Sequence, residues 1–118
     1  MNIRLKRAYD PPADGDGFRV LVDRVWPRGV SKDAMKLDQW LKEIAPSTAL
    51  RKWFAHDPDR WDEFRRRYFQ ELDGHPQEVG ALREKMRAGP VTIVFASKEQ
   101  QFNNAAALEE YLEHHRGK

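Results

Sequence analysis

The chain of 118 residues contains no cysteine. Disulfides and thiolate metal sites are therefore excluded, and the composition suits a reducing compartment. No apolar run approaches the roughly 20 residues of a membrane-spanning helix. Met1-Asn2-Ile3-Arg4 lacks the apolar core of a secretory signal, so the expectation is a cytoplasmic protein without a membrane partner. Neither a Walker sequence nor G-x-G-x-x-G occurs, which removes the glycine-rich phosphate cradles. No G-x-S-x-G appears, and neither Ser31 nor Ser97 has an obvious general base beside it. His75, His114 and His115 show no metal-ligand spacing, and no metal is expected. Repeats, low-complexity tracts and linkers are missing too, so residues 1–118 read as one domain.

What is present is bulk and balanced charge. The chain is 40% hydrophobic, with four Trp, six Phe and three Tyr. That is enough for one core and unlike the aromatic-poor composition of disordered chains. Lys and Arg number 21 against 19 Asp and Glu, a formal net charge of +2. Such a balance does not mark a nucleic-acid binder; local clustering matters more, and bases gather toward the front of the chain.

Ile3 and Leu5 alternate with Arg4 and Lys6, a period-two pattern that predicts a strand. The turn cluster from Asp10 to Gly17 ends it. Val20-Leu21-Val22 is a continuous apolar run, as in strands covered on both faces, and Trp26-Pro27-Arg28-Gly29 stops it. Leu37 to Ile44 fits either a short helix or a strand. Ser47 predicts the cap of a helix bearing Leu50, Trp53 and Phe54. Asp57-Pro58 predicts a cap with proline in the first helical position, for a helix carrying Trp61, Phe64, Tyr68 and Leu72 and ending near Gly74. Another helix runs from about Pro76 to Gly89, burying Val79, Leu82 and Met86. Val91 to Ala96 is the clearest strand, and a last helix starts near Asn103 with Ala105, Leu108 and Leu112 inward. Strands separated by helices predict an α/β domain with a mostly parallel sheet of three to five strands and helices on both faces.

In open parallel sheets, ligands bind beyond the carboxyl ends of the strands. Two loops leave such ends, Asp23 to Lys32 and Ser97 to Asn104. If their strands are parallel in one sheet, Arg24, Arg28, Ser31 and Lys32 converge with Lys98, Glu99 and Asn103. Arginine forks and a mobile lysine suit phosphate or carboxylate. The competing reading is that these arginines pair with Asp23 or Asp33 and cover the rim. Arg65 interrupts the apolar stripe of its helix, so it needs an acid partner, for which Asp23 is the candidate, or a wet cleft, since an unpaired buried charge is prohibitive; its stem could equally lie over Trp61. His56-Asp57 has the form of an acid/base pair, but Asp57 is accounted for as a cap and His56 as packing on Trp61.

The stretches Lys6 to Asp10, Val20 to Gly29, Trp40 to Ser47 and Leu50 to Phe54 resemble the YeaO-like family, within a larger group classed as domain of unknown function 488. The resemblance continues through Phe64, Tyr68, Glu71 and Leu72, then Ala96-Ser97-Lys98 and Asn103 with Leu108. It spans essentially the whole chain, and the Asp-Arg-x-Trp-Pro-Arg-Gly run is its most specific part. It implies an α/β fold and a bacterial or archaeal cytoplasmic protein, and it brings no established activity. Glu99 departs from the Asp or Asn, and Phe102 from the polar residue, that the family tends to show; Asn103 matches better than Asn104.

The leading expectation is a crevice that binds, and in one version acts on, an anionic small molecule such as a nucleotide or sugar phosphate. Arg24, Arg28 and Lys98 would hold the anion with Arg65 beneath and Trp26 beside it. Asp23 would be the acid/base or orienting carboxylate, and Asn103 would bond a polar substituent. The residues name no cofactor and leave catalysis open. The alternatives are a nucleic-acid module, with Arg4, Lys6 and Arg7 on the backbone and Trp26, Trp40 and Trp53 stacking on bases, or a protein-interaction module without chemistry, marked by an exposed apolar patch at Trp40 or Trp53.

Overall fold

A computed structural model describes residues 3–114; Met1, Asn2 and residues 115–118, the tail histidine His115 among them, lie outside the described residues. Four strands form one parallel sheet: β1 (Ile3–Arg7), β2 (Phe18–Leu21), β3 (Gln39–Trp40) and β4 (Val91–Phe95), in the order β1-β4-β2-β3. The α/β class and parallel sheet expected from the strand and helix patterns are thus observed. β4 is central and buried at every residue, which is why it reads as an unbroken β-branched run rather than an alternation.

The sheet's two faces differ. Val20, Val22, Val91, Ile93 and Phe95 belong to one large core with Ile3, Leu5 and Phe18 packed on it. Four helices supply its other side: α2 (Thr48–Phe54), α3 (Trp61–Asp73), α4 (Pro76–Ala88) and α5 (Asn104–His114). Of the residues their spacing predicts, the helices bury Leu50 and Phe54, then Phe64, Tyr68 and Leu72, then Val79, Leu82 and Met86, then Ala105, Leu108 and Leu112, while Trp53 and Trp61 pack on the core half-buried. A fully buried Leu or Phe contributes roughly 1.5–3 kcal/mol. The Tyr68 hydroxyl would cost stability if unsatisfied; it donates to the Ile44 carbonyl at 2.7 Å.

Over the opposite face lie a smaller cluster of Ala8, Leu21, Met35 and Val94 and the one-turn helix α1 (Lys32–Met35), capped by Ser31. Arg19, buried and facing this side with Leu21, donates through Nε and Nη2 to the Met35 carbonyl at 3.1 and 2.8 Å and through Nη1 to Asp16 at 2.7 Å. Asp16 closes a 3-10 turn just before β2. Gly17 then passes so close to Pro90, at a φ of 66°, that a Cβ would lie 2.2 Å from the Pro90 oxygen; only glycine fits.

The ambiguous segment from Leu37 to Ile44 is neither a full helix nor a full strand. Asp38 and Leu41 donate backbone bonds to the Arg19 and Leu21 carbonyls, which fixes the two-residue β3 on the sheet edge. The chain then tightens into a 3-10 turn at Lys42–Ile44 before Pro46.

Candidate functional site

β2 and β4 are parallel neighbours, so the loops that follow them leave the same rim. The pairing extends one residue beyond β2, with the Val22 amide donating to the Val94 carbonyl at 3.1 Å. Asp23 then crosses to the next strand's exit. One carboxylate oxygen accepts from the Ala96 amide at 2.8 Å and the other from Asn104 Nδ2 at 3.1 Å. The loop after β2 is held by two indoles: Trp40 Nε1, from β3, donates to the Asp23 carbonyl at 2.7 Å and Trp26 Nε1, within the loop, to the Val30 carbonyl at 2.6 Å. The two rings meet edge to face at 5.4 Å. Gly29, at a φ of 80°, closes the turn, a conformation that favours glycine.

These loops, the segment entering α2 and the second half of that helix enclose a cavity of about 480 Å³, within the range of roughly 300–1,000 Å³ usual for small-ligand pockets. Asp23, Arg24, Trp26, Arg28 and Asn103 line it, as does Ser97. α2 adds Arg51 and Lys52, the turn after it adds His56, and Phe54 and Phe64 form an apolar wall. Arg24 is turned aside: Nη2 donates to the Ala45 carbonyl at 3.0 Å and Nε to that of Pro46 at 3.4 Å. It thereby fastens the entry to α2, which Glu71 holds from beneath by accepting from the Ser47 amide and hydroxyl at 2.8 and 2.6 Å. Arg28, Arg51 and Lys52 are exposed. Among the described residues, no ion pair engages any of the four cations. The expected competition from Asp23 or Asp33 for these arginines is therefore not what the rim contains.

Burial pushes the Asp23 carboxyl above its ordinary value, against the opposing pull of the Ala96 and Asn104 hydrogen bonds and the nearby Arg51 charge. Two of the residues expected at the site are placed elsewhere. Arg65 does not line the cavity; Nη1 grips both oxygens of Glu110 at 2.8 and 2.9 Å and Nη2 meets Asp62 at 2.7 Å. It resolves its place on an apolar stripe by an ion pair to α5, with its guanidinium 5.8 Å from the Trp61 ring. Lys98 is exposed and outside the lining. Glu99 folds back on its own loop, accepting from the Gln101 and Phe102 amides, which hold its carboxyl below the ordinary value.

The two asparagines divide the work. Asn103 is 2% exposed and both ends of its amide are engaged, Oδ1 accepting from the Ala106 amide and Nδ2 donating to the Glu99 carbonyl. It caps α5, while Asn104 reaches Asp23 and the Val22 carbonyl. His56 adopts a left-handed backbone and lines the cavity with its ring 6.2 Å from that of Phe54, whereas Asp57 accepts from the Asp59 amide as a cap. Sequence reasoning passed over Arg51, Lys52 and Asn104. The one signal for the first two is a pair of cations set opposite Leu50 and Phe54 on a short amphipathic helix, and it does not say which way that helix points.

The tryptophans named for base stacking or a docking patch are engaged within the fold. Trp26 and Trp40 are bonded as above, and Trp53 lies beneath Arg67 at 4.2 Å and Arg60 at 5.3 Å. Of the front cations, Lys6 binds Asp16 at 3.0 Å, and Arg7 donates to the Ser97 and Ala96 carbonyls. Among the described residues, the exposed large apolar ones are Tyr9 and Val25.

Among known proteins, the family model described as the inactive DUF488-N3 subclade matches residues 2–117. The chain is 44% identical over 112 residues to the uncharacterized protein YeaO of Escherichia coli (strain K12), covering 95% of this chain and 97% of that one. It is 40% identical over 110 residues to the uncharacterized protein Rv3073c of Mycobacterium tuberculosis (strain H37Rv), covering 93% and 92%, and equally to the uncharacterized protein Mb3100c of Mycobacterium bovis. No solved structure matches the chain. With its specific Asp-Arg-x-Trp-Pro-Arg-Gly run lining one wall of the cavity and the family model matched almost end to end, the chain belongs to the inactive DUF488-N3 subclade, among YeaO-like proteins.

Proposed function

We propose that the crevice binds a small molecule carrying a phosphate or carboxylate and holds it without turning it over. One observation carries this reading: Arg28, Arg51 and Lys52, with Arg24 behind them, face a single cavity, and among the described residues none of them forms an ion pair, the nearby Asp23 being the one acid in the lining. Cations crowded together without acid partners repel one another, and an anion relieves that repulsion while gaining charge-assisted hydrogen bonds. The absence of turnover is supported by the family's description as inactive.

The reading is preferred to a nucleic-acid module because the indoles that would stack on bases are bonded inward or covered by arginines. Calorimetric titration with inorganic phosphate, phosphate monoesters and simple carboxylates at low salt tests it. Saturable binding is expected for at least one class. Arg28→Ala or Arg51→Ala should weaken it about tenfold to a hundredfold, as for a hydrogen bond to a charged group worth roughly 1.5–3 kcal/mol. A protein that takes up none of these anions does not serve this function.

A further inference from the structure

A carboxylate inside a pocket for anions looks counterproductive, and that contradiction says what the ligand is. Asp23 lines the same cavity as Arg28, Arg51 and Lys52, yet no cation touches it. Its partners are two neutral donors, the Ala96 amide and Asn104 Nδ2, one on each oxygen. A carboxylate offers about four acceptor positions, so each oxygen keeps capacity for a further donor. The neighbouring arginine does not take it up, because Arg24 is committed to the Ala45 and Pro46 carbonyls.

We propose that Asp23 is a specificity-determining residue that reads hydroxyl groups, so that the crevice selects an anion tethered to a sugar-like body over a bare or purely apolar anion. This rests on the anion-binding reading above and narrows its ligand class. A bare anion gains from the three cations but meets the field of Asp23 at close range. A ligand that sets hydroxyls against Asp23 replaces that repulsion by charge-assisted hydrogen bonds. The remaining walls suit the same molecule. Trp26, Phe54 and Phe64 give the lining apolar patches beside its polar groups, and the cavity extends well beyond the volume of one phosphate or carboxylate. Sugar phosphates and sugar acids share this chemistry, and the two sources are separated by testing each against its hydroxyl-free counterpart.

The experiment is a paired titration on the full chain: ribose phosphate against butyl phosphate, and gluconate against hexanoate. In the wild type the hydroxylated member of at least one pair should bind about tenfold or more tightly, in line with hydrogen bonds to a charged acceptor. In Asp23→Asn that preference should shrink to within about threefold, as butyl phosphate or hexanoate gains from the lost negative charge while the sugar loses its acceptor. Equal affinity within both pairs in the wild type overturns this inference and leaves anion binding standing. So does a preference that survives in Asp23→Asn, which would place the hydroxyl reader elsewhere. Failure of all four compounds to bind overturns the anion-binding reading itself, and this inference with it. The wild-type comparison needs no variant, so equal affinity there overturns the inference even if Asp23→Asn does not fold.

Discussion

Strand β2 is bracketed by two aspartates, each set among cations, and the two regions are built in opposite ways. Asp16, just before the strand, is 1% exposed and in direct contact with its bases: Arg19 at 2.7 Å, Lys6 at 3.0 Å and Arg4 at 3.7 Å. Its remaining partners are the Ala13 amide and, on its own carbonyl, the Thr92 hydroxyl. Among the described residues, Asp23, just after the strand, forms no ion pair and feels the Arg51 charge only from a distance, while Arg28, Arg51 and Lys52 stand around the same cavity without ion-pair partners. At the first aspartate charge is used up inside the molecule, and the result is a clamp between the loop and the sheet. At the second, charge is left unused, which costs stability and is sensible only where something from outside completes it. Counting arginines near an acid does not distinguish these cases; the contact list does.

The sharpest way to break the comparison is to remove the acid of the clamp. Asp16→Asn should lower the free energy of unfolding by about 3–5 kcal/mol, because it leaves Arg19 and Lys6 buried or half-buried without their counter-charge. Urea denaturation measures this directly. For a domain whose whole stability is about 5–15 kcal/mol, the loss is severe. A change below about 1 kcal/mol would reduce the cluster to an ordinary surface pair and dissolve the contrast.

The two aspartates should also respond to pH with opposite sign. Burial raises the Asp16 carboxyl, but the Ala13 amide, Lys6 and Arg19 outweigh it and hold the group below its ordinary value. Its stabilising contribution is therefore present above the unfolded carboxylate range and is lost as pH falls through the lowered folded value. Burial wins at Asp23, whose folded value is raised. Relative to the unfolded chain, its protonated form is favoured, so its contribution is greatest below the unfolded value and declines as pH rises through the folded one. The stability gap between wild type and Asp16→Asn should thus close on acidification. Asp23→Asn should instead compare best with wild type at neutral pH and worst in acid. Unfolding curves at several pH values check both, and parallel pH slopes for the two variants would contradict the assignment.

How much of this was legible follows from the range of the contacts. β2 and β4 announce themselves locally, through apolar runs bounded by Pro and Gly, and a parallel sheet puts their exits together. That is why Asp23, Arg24, Trp26 and Arg28 could be placed on one rim from sequence. Arg51, Lys52 and His56 could not, because α2 is aimed by Glu71 on Ser47 and by Arg24 on the Ala45 and Pro46 carbonyls, contacts 21 to 24 residues apart with no local signature. β3 was hidden for the same reason, being two residues long and defined only by its register with β2. Arg65 was recognised as an anomaly, but its partner is not the Asp23 that the sequence offered: it pairs with Glu110, 45 residues away and out of reach of periodicity. Since this pair is partly exposed, Arg65→Met should cost no more than about 1 kcal/mol and leave anion titrations unchanged; weakened binding would return Arg65 to the site.

The smallest effect on stability is expected where the effect on binding is largest. Arg51→Ala and Lys52→Ala remove exposed side chains without acid partners, so unfolding free energies should stay within about 0.5 kcal/mol of wild type. The direction of any change is informative. Trimming one of several like charges around a cavity relieves repulsion, so the variants should be level with wild type or slightly more stable at low salt. The difference should fade near 0.1 M salt, where the screening length is about 10 Å. A loss above about 1.5 kcal/mol would mean that these side chains already hold the fold together, as Lys6 and Arg19 do. The rim would then be a second clamp rather than a vacancy for an anion, because a charge that stabilises the empty protein gains little more when a ligand arrives.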